Sequence, residues 1–273
     1  MRSKWSAVVL ILLFSMLIPV GSEVSAAKLA MTESVAARLD GTVAAASGTF
    51  KSRLRTDYDK LALLQKKELQ LDSDLKSASA ANNQYAAQVR KRINEIGAAR
   101  IRQLETAIQK TTDKYQPLFA TYDALRDSAD LAKSLGNKEL AAAIRKQADG
   151  MKPAIELARA DIRNRKEQLT AAKREIAKQK SGIRDMLKET DAVKKRISAE
   201  RKAVAALNKQ LSPAWSNFTK ALGRKDAARA ADALGIVLSL CADNVKLKEK
   251  MLEMERSIGK TIANADARLR TLL

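Results

Sequence analysis

Nine positions spaced seven apart, Ile155, Ile162, Leu169, Ile176, Ile183, Thr190, Ile197, Val204 and Leu211, are all apolar or β-branched, and eight are fully apolar. A seven-residue repeat held this long keeps one stripe of an α-helix facing a partner when the helices supercoil left-handedly. The spacing therefore predicts a coiled-coil seam through the middle of the chain. An earlier apolar series runs Phe50, Leu54, Tyr58, Leu61, Leu71, Leu75, Tyr85, Val89, Ile93, Ile96, Leu104 and Ile108, and predicts one long helix over 50–112 that ends near Thr111-Thr112-Asp113. Met31, Val35, Leu39 and Val43 continue a similar spacing upstream, weakened by Gly41 and Gly48. A last stripe, Leu240, Leu247, Met251, Met254, Ile258, Ile262, Ala265, Leu269 and Leu272, predicts a helix over 226–273.

Breakers are sparse between these stripes. Pro117 suits the first turn of a short helix that would stop at Gly136, with Asn137 capping the next helix through its side-chain oxygen. Gly150 and Pro153 predict a kink or restart in the seam helix, because proline removes one backbone hydrogen bond and crowds the preceding turn. Ser212-Pro213 predicts a break after a helix over 138–211, and Asp226 an N-cap after Gly223. At about 1.5 Å per residue the helix from 138 to 211 would be roughly 110 Å long. The fold class that follows is all-α: an elongated antiparallel coiled-coil or helical bundle of about three long helices with short corner helices.

Two stretches resemble each other. Pro117-x-Phe119-x-x-Tyr122 matches Pro213-x-Trp215-x-x-Phe218, and Leu135-Gly136-x-Lys138-Glu139 matches Leu222-Gly223-x-Lys225-Asp226. Either a turn-plus-helix unit is duplicated, or helix-end preferences selected similar residues twice. The aromatics that follow the two prolines are expected to form small hydrophobic caps at the ends of the bundle, with a ligand site as the other reading.

The first 26 residues change the picture of where the chain works. Arg2 and Lys4, the apolar run Ala7 to Val20 and Val24-Ser25-Ala26 form a secretory signal pattern. An uncleaved membrane anchor is the other reading, but a span needs about 20 apolar residues and Pro19 interrupts this run. The product is expected to be secreted and associated with the cell envelope, a single helical region over 27–273 with no transmembrane span after cleavage. Cleavage would remove Arg2, Lys4 and Glu23 and lower the formal net charge from +20 to +19.

That excess is spread along the chain, as +6 over 28–112, +9 over 113–211 and +4 over 212–273. From Arg159 to Lys202 there are fifteen basic residues against seven acidic ones. Within this run Arg163, Lys166, Lys173, Arg174, Lys178, Lys180, Lys194, Lys195, Arg196, Arg201 and Lys202 are the candidate polyanion-binding residues. Cationic flanks can also serve only to keep a coiled coil soluble and set helix pairing. The expected partners are anionic envelope polymers or lipid headgroups, together with another helical protein. Nucleic acid is disfavoured by export and by the lack of an aromatic-basic stacking platform.

Catalytic chemistry is not expected. Histidine is absent, which removes the commonest general base and the usual zinc ligands. The one cysteine, Cys241, falls on an apolar stripe with Leu234, Val237 and Val245 and reads as a buried thiol. Asp123, Asp127 and Asp130, and likewise Glu249, Glu253 and Glu255, read as solvated helix faces paired with nearby cations. No catalytic, cofactor-binding or metal-binding residue is assigned. In general plan the chain resembles the exported coiled-coil regions found beside bacterial cell-wall hydrolases, although no motif assigns it to a family. The expected function is a non-enzymatic envelope protein, a scaffold, spacer or partner-binding rod on anionic surfaces. The alternatives are an extracytoplasmic holdase chaperone and a coiled-coil regulator of a cell-wall hydrolase.

Overall fold

The computed structural model describes residue 29 and residues 31–273, so the predicted signal segment lies outside the described residues. Five helices follow in order: α1 (Glu33–Ala45), α2 (Gly48–Ile93), α3 (Ala98–Ser134), α4 (Lys138–Gly223) and α5 (Ala227–Arg270). There is no strand among the described residues, and the protein is an all-α helical bundle. It divides into two units, one formed by the chain up to Lys76 with Ile197–Leu252, the other by Ser77–Arg196 with Glu253–Leu273. Helices α2, α4 and α5 contribute to both.

The seam is where the heptad spacing puts it. Ile155, Ile176, Ile183, Thr190, Ile197, Val204 and Leu211 are buried, while Ile162 and Leu169 are half-buried. Thr190, the one hydroxyl in the series, donates to the carbonyl of Leu187 at 2.7 Å, so its burial leaves no polar group unpaired. Seven residues beyond Leu211 the same column continues to Phe218, which is fully buried.

That continuation corrects the expected breaks. Helix α4 runs unbroken through Pro153 and Pro213, and α3 through Pro117, so the short corner helices are absorbed into longer ones. All three prolines occupy exposed positions, as do Asp113, Asp149 and Lys209 four residues before them. A carbonyl deprived of its helical partner on that side can bond to water, and seam packing on both sides of the proline outweighs the local penalty.

In the second unit α2 and α3 succeed each other along one partner, α4. Asn83 meets Lys194, Asn94 meets Lys180, Glu105 meets Lys173, Tyr115 meets Asp161 and Asp130 meets Arg145, so numbers rise on one side as they fall on the other. The single helix expected over 50–112 is therefore two helices pointing the same way, separated by a turn at 94–97. Gly97 makes this turn with φ 69°, in the left-handed region that disfavours a side chain. Ile176 sits against it so closely that a Cβ there would lie 2.3 Å from the Ile176 Cδ1. Gly97→Ala should cost about 2–4 kcal/mol, from the left-handed backbone and from overpacking together. In an Ile176→Val background, which removes Cδ1, the loss should shrink. Denaturant titration of the four proteins in this cycle checks it, and strict additivity would contradict the contact.

Past this turn α3 and the first part of α4 form a two-helix hairpin, closed by Leu135-Gly136-Asn137. Gly136 takes φ 81°, the Asn137 amide donates to the carbonyl of Ala132 at 3.0 Å, and the Asn137 side chain accepts from the Leu140 amide at 3.0 Å. Both the left-handed glycine and the cap match the sequence reading. At the other turn Asp226 caps α5 by accepting from the Arg229 amide at 3.1 Å, but the left-handed residue is Lys225, at φ 55°, and Gly223 still belongs to α4. The two similar stretches therefore build their turns at different offsets.

In the first unit α1 packs Leu39 and Val43 into a core with Leu54, Leu61, Phe218, Leu222 and Leu234. The Thr42 hydroxyl lies 2.8 Å from the carbonyl of Arg38 and 3.3 Å from that of Leu222, a helix-end acceptor that also receives the Lys225 amide at 3.0 Å. Trp215 and Tyr58 flank Phe218 at ring-centroid distances of 5.2 and 6.5 Å. The other aromatic group, Tyr115, Phe119 and Tyr122, lies inside the hairpin, with Tyr122 buried against Ala148 and Ile155, and does not cap its end.

Candidate polyanion-binding face

The eleven candidate cations all lie on α4, but the helix distributes them between two roles. Counting in sevens from Arg159 gives Lys166, Lys173, Lys180, Leu187, Lys194 and Arg201, a column that is cationic but for the buried Leu187 and flanks the seam. Three members reach neighbouring helices: Lys173 pairs with Glu105 at 3.0 Å, Lys180 donates to the carbonyl of Asn94 at 3.0 Å, and Lys194 donates to Asn83 Oδ1 at 3.1 Å. These three donors are engaged by neighbouring residues, although the contacts lie at the surface and the Lys173 side chain stays 50% exposed.

The remaining eight are exposed and make no ion pair with a described residue: Arg163, Lys166, Arg174, Lys178, Lys195, Arg196, Arg201 and Lys202. Those from Arg163 to Arg196 belong to the second unit, and Arg201 and Lys202 to the first. Arg174, Lys188 and Lys195 share a heptad position opposite the seam, each at least one turn from the next and fully in solvent. Guanidinium and ammonium groups held there without a carboxylate partner attract anions through water. They form no closed pocket and impose no stereochemistry.

A second set of charges lies inside the bundle. In the first unit Lys248, 1% exposed, bonds to Glu68 at 2.8 Å and Asp72 at 2.7 Å, and Asn244 donates to Asn208 at 2.7 Å. The Asn244 Oδ1 has no partner among the described residues. In the second unit Asn82 donates at 2.8 Å to the Glu255 side chain, which is buried and not part of a solvated face. Glu249 and Glu253 do pair at the surface, with Lys67 and Arg256, and Asp130 with Arg145.

Asp266 gathers three donors: Tyr85 at 3.0 Å, Arg92 at 2.5 Å and Arg270 at 2.7 Å. Burial alone would raise its pKa. The hydrogen bonds from Tyr85 and Arg270 and the two guanidinium charges outweigh that and hold it below the ordinary carboxylate value. The stability this carboxylate contributes is therefore present above the unfolded pKa of about 3.9 and is lost as pH falls through the lower folded value. Asp266→Asn should destabilise by about 2 kcal/mol at neutral pH, as expected for charge-assisted hydrogen bonds. That penalty should fade in acid, which melting curves across the acid range would check.

Cys241 is buried, and burial, reinforced by the Glu68 carboxylate and opposed by Lys248, pushes its thiol up to about 12. A thiol in that state is protonated at neutral pH and is a poor nucleophile. Among the described residues no group of three or more histidine, cysteine, aspartate or glutamate side chains could hold a metal ion. No helix there is long and apolar enough to cross a membrane. No protein-family model, curated protein or solved structure matches this chain.

Proposed function

We propose that this is an exported, non-enzymatic helical protein of the cell envelope that adheres to anionic surface polymers or lipid headgroups through the outward cations of α4. The observation that carries the reading is the division of labour on this helix. Three of the eleven candidate cations are engaged by Glu105, Asn94 and Asn83, whereas the other eight are exposed and make no ion pair with a described residue. A seam helix needs only flanking charges that complement its neighbours, and unpaired cations on its outer face add nothing to that pairing. They supply an anion-attracting surface while the bundle holds it in a fixed helical register.

Adhesion of this kind is Coulombic. Co-sedimentation with isolated anionic wall polymer or anionic vesicles should weaken steadily as the Debye length shrinks from about 10 Å at 0.1 M salt to about 3 Å at 1 M. Sedimentation that is indifferent to salt would instead mean that apolar or stereospecific contacts hold the protein.

A further inference from the structure

Three exposed leucines gather at the end of the α3–α4 hairpin, whereas Leu63, Leu69, Leu157, Ile236 and Leu273 are exposed elsewhere along the chain. Leu131, Leu135 and Leu140 lie within five residues of Gly136 and are 61%, 76% and 49% exposed. Leu131 lies in the last turn of α3, Leu135 is the residue that ends it, and Leu140 lies in the first turn of α4. None is a seam residue, because Ala129, Ala132 and Ala141 already close the hairpin at this point. Exposed leucines grouped on a turn are a liability in water unless something covers them.

Two further observations select the occupant. First, most amides of the turn are already bonded: those of Leu135, Gly136, Asn137, Lys138 and Ala141 donate to carbonyls of the turn and of the end of α3, and that of Leu140 to the Asn137 side chain. A turn with most of its amides bonded internally leaves bulk water at a lower cost than an open loop does. Second, the leucines are bordered by Lys133, Lys138 and Lys146, exposed cations with no ion-pair partner among the described residues, which outnumber the single exposed acid among them, Glu139, while the nearby Arg145 is paired with Asp130. Leucines ringed by lysines complement a surface that is anionic at the headgroups and apolar just beneath, with long lysine stems reaching back to the phosphate level.

We infer that the hairpin turn is a membrane-contacting tip that seats Leu131, Leu135 and Leu140 in the interface of an anionic lipid bilayer. The inference stands independently of the α4 face, since the tip carries its own cations and its own apolar surface. It does not span the bilayer; it lies in the headgroup and upper acyl region.

The test uses the full chain carrying Leu135→Trp, mixed with phosphatidylglycerol vesicles whose acyl chains are brominated, and reads fluorescence quenching against the unsubstituted protein. The chain's own tryptophans, Trp5 and Trp215, supply a background common to both proteins, and the excess over it is what the test reads. Quenching in excess of the unsubstituted protein is expected, and it should fall at least about tenfold in lipid concentration dependence when Leu131→Asp and Leu140→Asp are added, since each change replaces interfacial leucine by a charge. Neutral phosphatidylcholine vesicles should give much weaker quenching. No excess quenching on the anionic vesicles, or quenching that survives both aspartates, would overturn the inference. Binding of the same variants to soluble wall polymer reports on the α4 face alone, so the two ideas fail separately.

Discussion

Replacing Ile176 and Ile183 together by aspartate is expected to abolish cooperative melting of the second unit. Both side chains are buried, at 4% and 1% exposure, and Ile176 also fills the space left by Gly97. Each aspartate removes an isoleucine from the core and places an unpaired carboxylate among apolar groups, at a cost of about 3–5 kcal/mol or more apiece. Together this approaches the whole stability of a typical domain, about 5–15 kcal/mol. Circular dichroism should show a broad, early loss of helix instead of a sharp transition. A melt that overlays the parent protein would remove the seam from the account.

The second large effect concerns Lys248. Lys248→Ala leaves the buried Glu68 without its cation and should cost about 3–5 kcal/mol, because the loss includes the desolvation of a stranded carboxylate. Replacing both partners, Glu68→Leu with Lys248→Leu, should come out near neutral or more stable by about 1–4 kcal/mol, since two charges no longer leave water. Asp72, partly exposed, keeps its solvation in either case. Urea titrations of the single and double variants would show the contrast, and a double variant as unstable as the single one would contradict a stranded-charge explanation. The pair is better understood as fixing which layer of α5 faces which layer of α2 than as adding net stability.

Much of the helical architecture could be read from spacing. The α4 seam, the left-handed Gly136, and the Asn137 and Asp226 caps all rest on local rules that the packing leaves intact. Three features could not be read that way. The prolines act as breakers in a local rule, yet α3 and α4 carry them on exposed positions while tertiary contacts hold the helix on either side. The turn at Gly97 depends on the approach of Ile176 from far along the chain, which no local pattern encodes. The interior charges escaped because apolar stripes were followed and their gaps were passed over.

Counting in sevens exposes those gaps. From Leu54 the column on α2 reads Leu61, Glu68, Leu75, Asn82, Val89 and Ile96, and from Leu234 the column on α5 reads Cys241, Lys248, Glu255, Ile262 and Leu269. Glu68 meets Lys248 and Asn82 meets Glu255, each polar residue opposite another at a seam position. The candidate site was legible only as a charge excess. Lys173, Lys180 and Lys194 share a heptad column beside the seam, but Lys166 and Arg201 share it too and make no ion pair among the described residues, so the column narrows the choice and local contacts with Glu105, Asn94 and Asn83 complete it.

That separation supplies the most direct measurement. Two triple variants differ only in which cations they remove: Arg174→Gln, Lys178→Gln and Lys195→Gln on the outer face, against Lys173→Gln, Lys180→Gln and Lys194→Gln on the bundle side. Retention on anionic envelope polymer at low salt, with helix content and melting temperature recorded for both, decides the matter. The outer variant should keep its helix content and stability and lose most of its retention, whereas the bundle-side variant should melt earlier and, while folded, keep most of its binding. Equal retention by the outer variant and the parent protein would contradict the assignment of α4 as the polyanion-binding face.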